Sequence, residues 1–292
     1  MNHLIKLPIE RNRYFPRDTY EIFRACKISE NFFYFFNMSD IIEQNGQLSK
    51  IRINQEIKKF KWNADLIKSL EQRKITVLKN SGLKIKYFSA KLCWRMIIGL
   101  GASHPQETSM TLHHIYGVPY IPGSAVKGVT RHWAVLIFAD IWAKSNNMKI
   151  QEAIEKVSEK LDNGDEKVYF SIDDINLDGV TFKNLIEIFG TQKQKGKIIF
   201  FDAFPIDEIK LEIDIINPHY PNYYSENSPP ADWQSPKPIK FLTVERTMFS
   251  FYLASKREDQ GLLNIAERLL KEALKNYGIG AKTSLGYGVF AV

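Results

Sequence analysis

The sequence predicts an α+β fold in which an antiparallel sheet carries helices on one face. Three observations point there. With intervening segments set aside, the apolar patterning runs strand, helix, several strands, helix, strand. No regular alternation of strand and helix calls for a large parallel sheet, and no repeat at a solenoid period occurs. The 292 residues are 44% hydrophobic, enough for the core of one elaborated domain or two small ones.

Residues 1–82 are expected to form an N-terminal extension, partly helical and packed on the main domain. Its aromatic run Asn31 to Phe36 has no clear period, whereas Trp62, Leu66, Leu70 and Ile75 recur at helical spacing up to Ser81-Gly82. The main domain should span 83–292. It opens with a strand-like stretch, Leu83 to Gly101, ended by Gly99 and Gly101. Pro122-Gly123-Ser124 then introduces a helix from Ala125 to Ala143, with Ser124 as its expected N-cap and Val126, Val129, Trp133, Leu136 and Ile137 on one face.

Helices at Ile150 to Leu161 and Phe182 to Phe189 read as an insertion covering about 145–195. Lys197 to Ala203, Leu211 to Ile216 and Ile239 to Leu253 look like strands. An amphipathic helix from Leu262 to Tyr277 and a last strand from Tyr287 to Val292 complete the order. Between them the prolines of 217–238 forbid sheet pairing, so this segment is expected to protrude as a thumb-like loop. Stripped of insertions, the plan is β-α-β-β-α-β, as in ferredoxin-like and RRM-like folds, whose uncovered sheet face is free to bind.

The formal charge of +7 and pI near 9.1 suit a polyanionic partner such as RNA, DNA or an acidic membrane. The only cysteines, Cys26 and Cys93, lie too far apart for a zinc cluster and are too few for a disulfide framework, which fits a reducing cytoplasm. The first residues lack the apolar core of a signal peptide, and no stretch reaches membrane-span length. No cofactor and no metal site is expected. His113 and His114 are adjacent and would point in different directions, and His104 and His132 stand at no ligand spacing from them.

Three segments carry chemistry. Gly278-Ile279-Gly280-Ala281-Lys282-Thr283-Ser284-Leu285-Gly286-Tyr287-Gly288 sets four glycines around a lysine and two hydroxyls. Backbone amides, Lys282, Thr283 and Ser284 could converge there on phosphate oxygens, with Gly278, Gly280, Gly286 and Gly288 allowing close approach. It is neither a Walker loop, since Ala281 precedes the lysine, nor a dinucleotide fingerprint, since Thr283 stands where glycine is required. A helix C-cap followed by a tight turn would look the same.

The second segment, His113 to Arg131, delivers the chain through a rigid Pro and Gly turn into a helix carrying Lys127 and Arg131 at i, i+4. Ser124 and the free amides of that turn could hold a phosphate; an ordinary Pro-initiated helix with a solvated basic face is the alternative. His113 and His114 are read, with Ser124, Lys127 and Arg131, as RNA-contacting or structural residues; the further reading is general base and acid in metal-free RNA cleavage. In the third segment, His219, Tyr220 and Trp233 could stack on bases or wedge into a duplex, or pack the loop onto its own domain.

Together these segments resemble the RAMP superfamily of CRISPR proteins, and within it the family of sixth subunits of the Cmr, or type III-B, effector complex. The shared wording covers Leu112-His113, Tyr116 through Ser124, Lys127-Gly128 and Arg131, then Phe200-Phe201-Asp202-Ala203 with Pro205. It resumes at Asn217-Pro218-His219-Tyr220 with Tyr223-Tyr224 and closes with Gly278 to Gly288. Residues before about 90 carry no such motif. The resemblance implies a non-catalytic RNA-binding subunit that holds guide RNA near its 3′ end and helps position target RNA in antiviral defence. Other Cmr subunits would be its neighbours, and target cleavage would belong to a different, repeated backbone subunit. Asp202 is expected to be structural. The alternatives are a metal-independent endoribonuclease that processes guide RNA, with His113 or His114 as base, and a scaffold subunit that touches RNA only incidentally.

Overall fold

The fold is taken from a computed structural model that describes residues 4–6, 14–16, 31–38, 41–42, 48–49, 57–102, 104, 108–164, 179–217 and 238–292. In chain order the first strands are β1 (Leu4–Lys6) and β2 (Tyr14–Pro16), an antiparallel pair. Helix α1 (Phe32–Met38) follows, then a second small pair, β3 (Ile41–Ile42) and β4 (Leu48–Ser49). Helix α2 runs over Ala64–Lys79, where Asn63 caps it by accepting hydrogen bonds from the amides of Asp65 and Leu66 at 3.0 Å. The aromatic run that shows no period in sequence is therefore helical. Phe32 is buried against Phe60 and Trp62, with ring centroids at 5.0 and 5.2 Å.

The stretch expected as one strand, Leu83 to Gly101, is two. β5 (Lys84–Leu92) lies in a five-stranded sheet and β6 (Arg95–Met96) in a three-stranded one, so Cys93-Trp94 is a crossover between sheets. Helix α3 covers Gly123–Asn146 and α4 covers Ile150–Asn163. Helix α5 (Phe182–Phe189) begins with a capping box in which Thr181 and Asn184 satisfy each other's amides. Then come β7 (Ile199–Phe200), β8 (Phe204–Pro205), β9 (Lys210–Ile216), β10 (Ile239–Glu245) and β11 (Met248–Ser255). Helix α6 (Gln260–Asn276) and β12 (Phe290–Ala291) close the described chain.

The run Ile239 to Leu253 is likewise two strands, broken where Arg246 takes a left-handed φ of 46°. Lys197 to Ala203 shrinks to the two residues of β7, because the next residues leave the sheet to meet the start of α3.

The larger sheet is antiparallel in the order β12-β5-β11-β7, with β8 also paired to β11. Its chain order is strand, helix α3, two short strands, strand, helix α6, strand, while β9 and β10 pair with β6 in the second sheet. Period-2 alternation explains the layering. Phe249, Phe251 and Leu253 of β11 point to the face covered by α6, where Phe251 lies 5.3 Å from Phe88 and 5.5 Å from Phe290. Helix α3 is clamped between α4 and α6, which is why it is buried on more than one face: Val126 and Val129 of the expected stripe are buried together with Ala134, Val135, Phe138, Ala139 and Trp142, while Trp133, Leu136 and Ile137 are half-buried.

The opposite sheet face is not open, contrary to expectation. Helix α2 lies across it, and Ser250 and Tyr252 of β11, 1% and 2% exposed, both donate hydrogen bonds to the Glu71 carboxylate. That face meets solvent at its flanks, at Tyr87 of β5, which stacks on Tyr252, and at Ile199 of β7, which stands opposite Ala254.

Candidate nucleic-acid interface

The His113 to Arg131 segment starts in a tight turn. The Gly117 amide donates to the His113 carbonyl at 2.7 Å, and the His113 amide to the Val118 carbonyl at 2.8 Å. Gly117 has φ of 69°, and a Cβ there would collide with Asn31, whose side-chain amide donates to the carbonyls of His114 and Ile115. His113 is a packing residue in this turn. Its ring stacks on Tyr116 at 4.4 Å, and its Nδ1 accepts a hydrogen bond from the Tyr116 amide. Burial, and then the neighbouring His114, lower its pKa against the opposing pull of Asp202, so the ring is held neutral. His114 stacks on it at 5.3 Å and faces solvent.

The start of α3 is built from two distant segments. Ile121 and Ala203 exchange backbone hydrogen bonds at 2.9 and 2.8 Å, and a Cβ on Gly123 would run into the Phe200 carbonyl. Helix α3 begins at Gly123 with Pro122 in the N-cap position, so Ser124 is not the cap; it stands one residue inside the helix and exposed. The capping group is the Asp202 carboxylate, which accepts the Gly123 amide hydrogen bond at 2.6 Å. The amides of Ala125 and Val126 are turned onto the Pro122 carbonyl. The place at this helix end that favours an anion is thus occupied by the protein's own aspartate.

Further along α3, Arg131 and Lys127 have different fates. Arg131 reaches α4, pairing with Asp162 at 2.6 Å and donating to the Ser158 carbonyl at 3.3 Å. Lys127 is half-buried and has no ion-pair partner among the described residues. Burial lowers its pKa first, and then the nearby cations Arg131 and Lys195. Lys195 comes from the hairpin after α5, which is pinned by a bridge between Gly190 and Lys195. It was not singled out in the sequence, since nothing local marks the return of that hairpin toward α3.

The glycine-rich segment is locked to its surroundings by its own amides. Gly278 donates to the Ala273 carbonyl, Ile279 to Gly288, Ala281 to Ile97, Leu285 to Lys282, Gly286 to Thr283 and Gly288 to Arg95, all within 3.0 Å. Gly280 and Gly288 are required for contact between backbones: a Cβ would fall on the Ile97 carbonyl at the first and on the Ile279 carbonyl at the second. The glycines therefore close the loop onto β6 and onto itself, rather than opening its main chain to solvent. What faces outward is the short 3-10 turn Thr283–Leu285, entered through Lys282 at a left-handed φ of 62°. Among the described residues the amides of Lys282, Thr283 and Ser284 and the two hydroxyls have no hydrogen-bond partner. The Lys282 ammonium lies 4.8 Å from the Phe241 ring centroid.

Beneath this turn Tyr287 is buried and donates to Asp214, which also pairs with Arg95 at 2.6 Å. Burial and then the Asp214 hydrogen bond push the Tyr287 pKa up to about 12, so the phenol stays protonated as a donor. A second charged cluster was also missed in sequence. Lys74 of α2 donates to the Asp202 carbonyl, lies 4.5 Å from the Tyr252 ring centroid, and lines a groove of about 310 Å3 with Glu71, Tyr116 and Phe204. His219, Tyr220 and Trp233 lie outside the described residues. Among those described, no group of His, Cys, Asp and Glu is arranged to hold a metal ion, and no helix is long and apolar enough to cross a membrane.

The chain is similar to known proteins. The chain is 41% identical over 228 residues to the CRISPR system Cmr subunit Cmr6 of Pyrococcus furiosus, covering 66% of this chain and 64% of that protein. It therefore spans a little under two thirds of that relative's length. It is 26% identical over 261 residues to the corresponding Cmr6 of Saccharolobus solfataricus, covering 87% of this chain and 74% of the other. The crystal structure of Cmr6 from Pyrococcus furiosus superposes with a TM-score of 0.51 at 37% identity, over 73% of this chain and 98% of that one. A chain in the cryo-EM structure of the type III-B Cmr-beta bound to cognate target RNA shares the fold, with a TM-score of 0.53 at 23% identity over 81% and 69% of the two chains. The family model of the RAMP superfamily matches residues 90–291, from near the end of β5 through β12 and including both the α3 start and the glycine-rich segment. The chain belongs to the RAMP superfamily.

Proposed function

We propose that this chain is a non-catalytic RNA-binding subunit of a type III-B CRISPR effector complex, holding the phosphate backbone of guide RNA near its 3′ end. Target RNA and neighbouring Cmr subunits are its other partners, and it works in the cytoplasm. The carrying observation is Lys127: a half-buried ammonium whose charged neighbours are two further cations, Arg131 and Lys195, and which has no carboxylate partner among the described residues. Such a site is electrostatically incomplete without an anion. The Lys282–Ser284 turn supplies a second place, with unpartnered amides, hydroxyls and an ammonium together. Neither place reads a base, which fits a guide of variable sequence. His113 is assigned to packing and not to catalysis.

The test is RNA binding by the full chain across a salt series, for wild type and for Lys127→Ala combined with Lys195→Ala and Lys282→Ala. Arg131 is left intact because it holds α4. Each phosphate contact on a single strand contributes about 0.7 to the slope of log affinity against log salt, so losing three contacts should lower the slope by about 2. Unchanged affinity and slope would overturn the site. A discrete cut in RNA incubated with the protein in EDTA would overturn the non-catalytic assignment.

A further inference from the structure

The crossover between the two sheets and the glycine-rich segment form one ridge. The Cys93 amide donates to the Val289 carbonyl at 2.9 Å, Gly288 to Arg95 at 2.7 Å and Ala281 to Ile97 at 2.8 Å, so residues 93–97 are laced along 281–289. This lacing sets the indole of Trp94 over Tyr287, with ring centroids 4.7 Å apart, and 5.3 Å from the Arg95 guanidinium. The contacts Trp94 to Tyr287, Tyr287 to Phe241 and Phe241 to Lys282 lead without a break from the indole to the turn whose amides and hydroxyls face outward.

Trp94 is nonetheless 38% exposed, and Leu285 of that same turn is 66% exposed. Tyr287, anchored to Asp214, supports the indole on one side, and part of the ring stays open to solvent. On its flank Arg246, exposed and in a left-handed conformation, donates its amide to the Trp94 carbonyl at 2.9 Å. An open aromatic ring with a guanidinium 5.3 Å from its centre, linked through Tyr287 and Phe241 to a turn of outward-facing donors, suits single-stranded RNA, with a base on the ring and the backbone running to the turn.

The geometry points to Trp94 as a stacking platform for one unpaired RNA base, whose backbone is held by the Lys282–Ser284 turn. It adds a base contact to the phosphate contacts proposed above for the described residues. The inference rests on the RNA-binding reading given above and adds a base to it. Because stacking uses the face that every base has, the site is indifferent to sequence.

The test compares two single-stranded oligoribonucleotides, one with all its bases and one with abasic riboses, binding the full-length protein at fixed salt. Wild type should prefer the base-bearing strand by roughly fivefold to a hundredfold, the range for one stacked base. Trp94→Ala should abolish that preference while leaving abasic binding and its salt slope unchanged, and Trp94→Phe should restore part of it. If Trp94→Ala retains the full preference, the platform is elsewhere and this inference fails while the RNA reading stands. If wild type binds neither strand in a salt-dependent manner, the RNA reading fails and takes this inference with it. Photocrosslinking of wild type to RNA carrying 5-iodouridine needs no variant to fold: an adduct on the peptide containing Trp94 supports the site, and adducts confined to other peptides overturn it.

Discussion

Replacing Lys74 with Met should make the protein more stable at neutral pH, although it removes a hydrogen bond and two ring contacts of an ammonium. Burial beneath α2 lowers the Lys74 pKa from 10.5 to about 8, and the nearby charges of Glu71 and Asp202 only partly restore it. That gap corresponds to about 3 kcal/mol spent on keeping the ammonium charged in the fold. Methionine keeps the stem against Tyr252 and Phe204 but leaves the Asp202 carbonyl without a donor, a loss of about 1 kcal/mol. The net gain near pH 7 is therefore about 2 kcal/mol.

The pH dependence carries the sign. Below about 8 Lys74 is protonated in both states and its full cost is present. Between about 8 and 10.5 the folded chain releases the proton while the unfolded chain keeps it, so wild-type stability rises relative to the variant by about 1.4 kcal/mol per pH unit. Above 10.5 the cost is gone and wild type becomes the more stable of the two. Urea denaturation of both proteins, followed by circular dichroism from about pH 7 to about pH 10, measures this difference directly. A Lys74→Met protein that is less stable than wild type at neutral pH, by an amount constant across the series, would refute the reasoning and make Lys74 an ordinary ion-pair partner of Glu71.

The glycines separate by what surrounds them. Gly288→Ala places a Cβ on the Ile279 carbonyl at φ of 70° and should cost about 3 kcal/mol in thermal unfolding, whereas Gly286→Ala, with nothing within 4 Å, should cost only the left-handed penalty of about 1 kcal/mol. Asp202→Ala should destabilise by about 2 kcal/mol through loss of the charged cap on α3, with Asp202→Asn recovering part of it and Ser124→Ala having no measurable effect on the unfolding midpoint.

The parts of this fold that were legible in sequence are those whose signal is local. Helix α5 could be read residue for residue because Thr181 and Asn184 cap it and Gly190 stops it within a single amphipathic run. The split between β5 and β6 was not legible, because Leu92, Trp94 and Met96 keep alternating through a point where the strand changes sheet. Helix α1 was hidden by too many aromatics, which satisfy every period at once. At the candidate site, residue types were informative and directions were not. The sequence marks Lys127, Lys282 and the glycines, but which amides turn inward depends on Arg95 and Ile97, and the cap on α3 arrives from Asp202, far along the chain.

The lacing of residues 93–97 along 281–289 also bears on how the molecule is made. It joins segments about two hundred residues apart, and contacts of such separation are closed late, once most of the entropy of the intervening chain has been lost. On a ribosome, β5 must therefore wait with both edges unpaired, since its neighbours β11 and β12 emerge long after it. Lys84, Lys86 and Lys91 lie along that strand, and charges of this kind on an unpaired edge disfavour pairing with another chain. The ridge proposed to face RNA is consequently among the last features to form: a chain that has folded only in part has neither Trp94 set over Tyr287 nor the Lys282 turn in place.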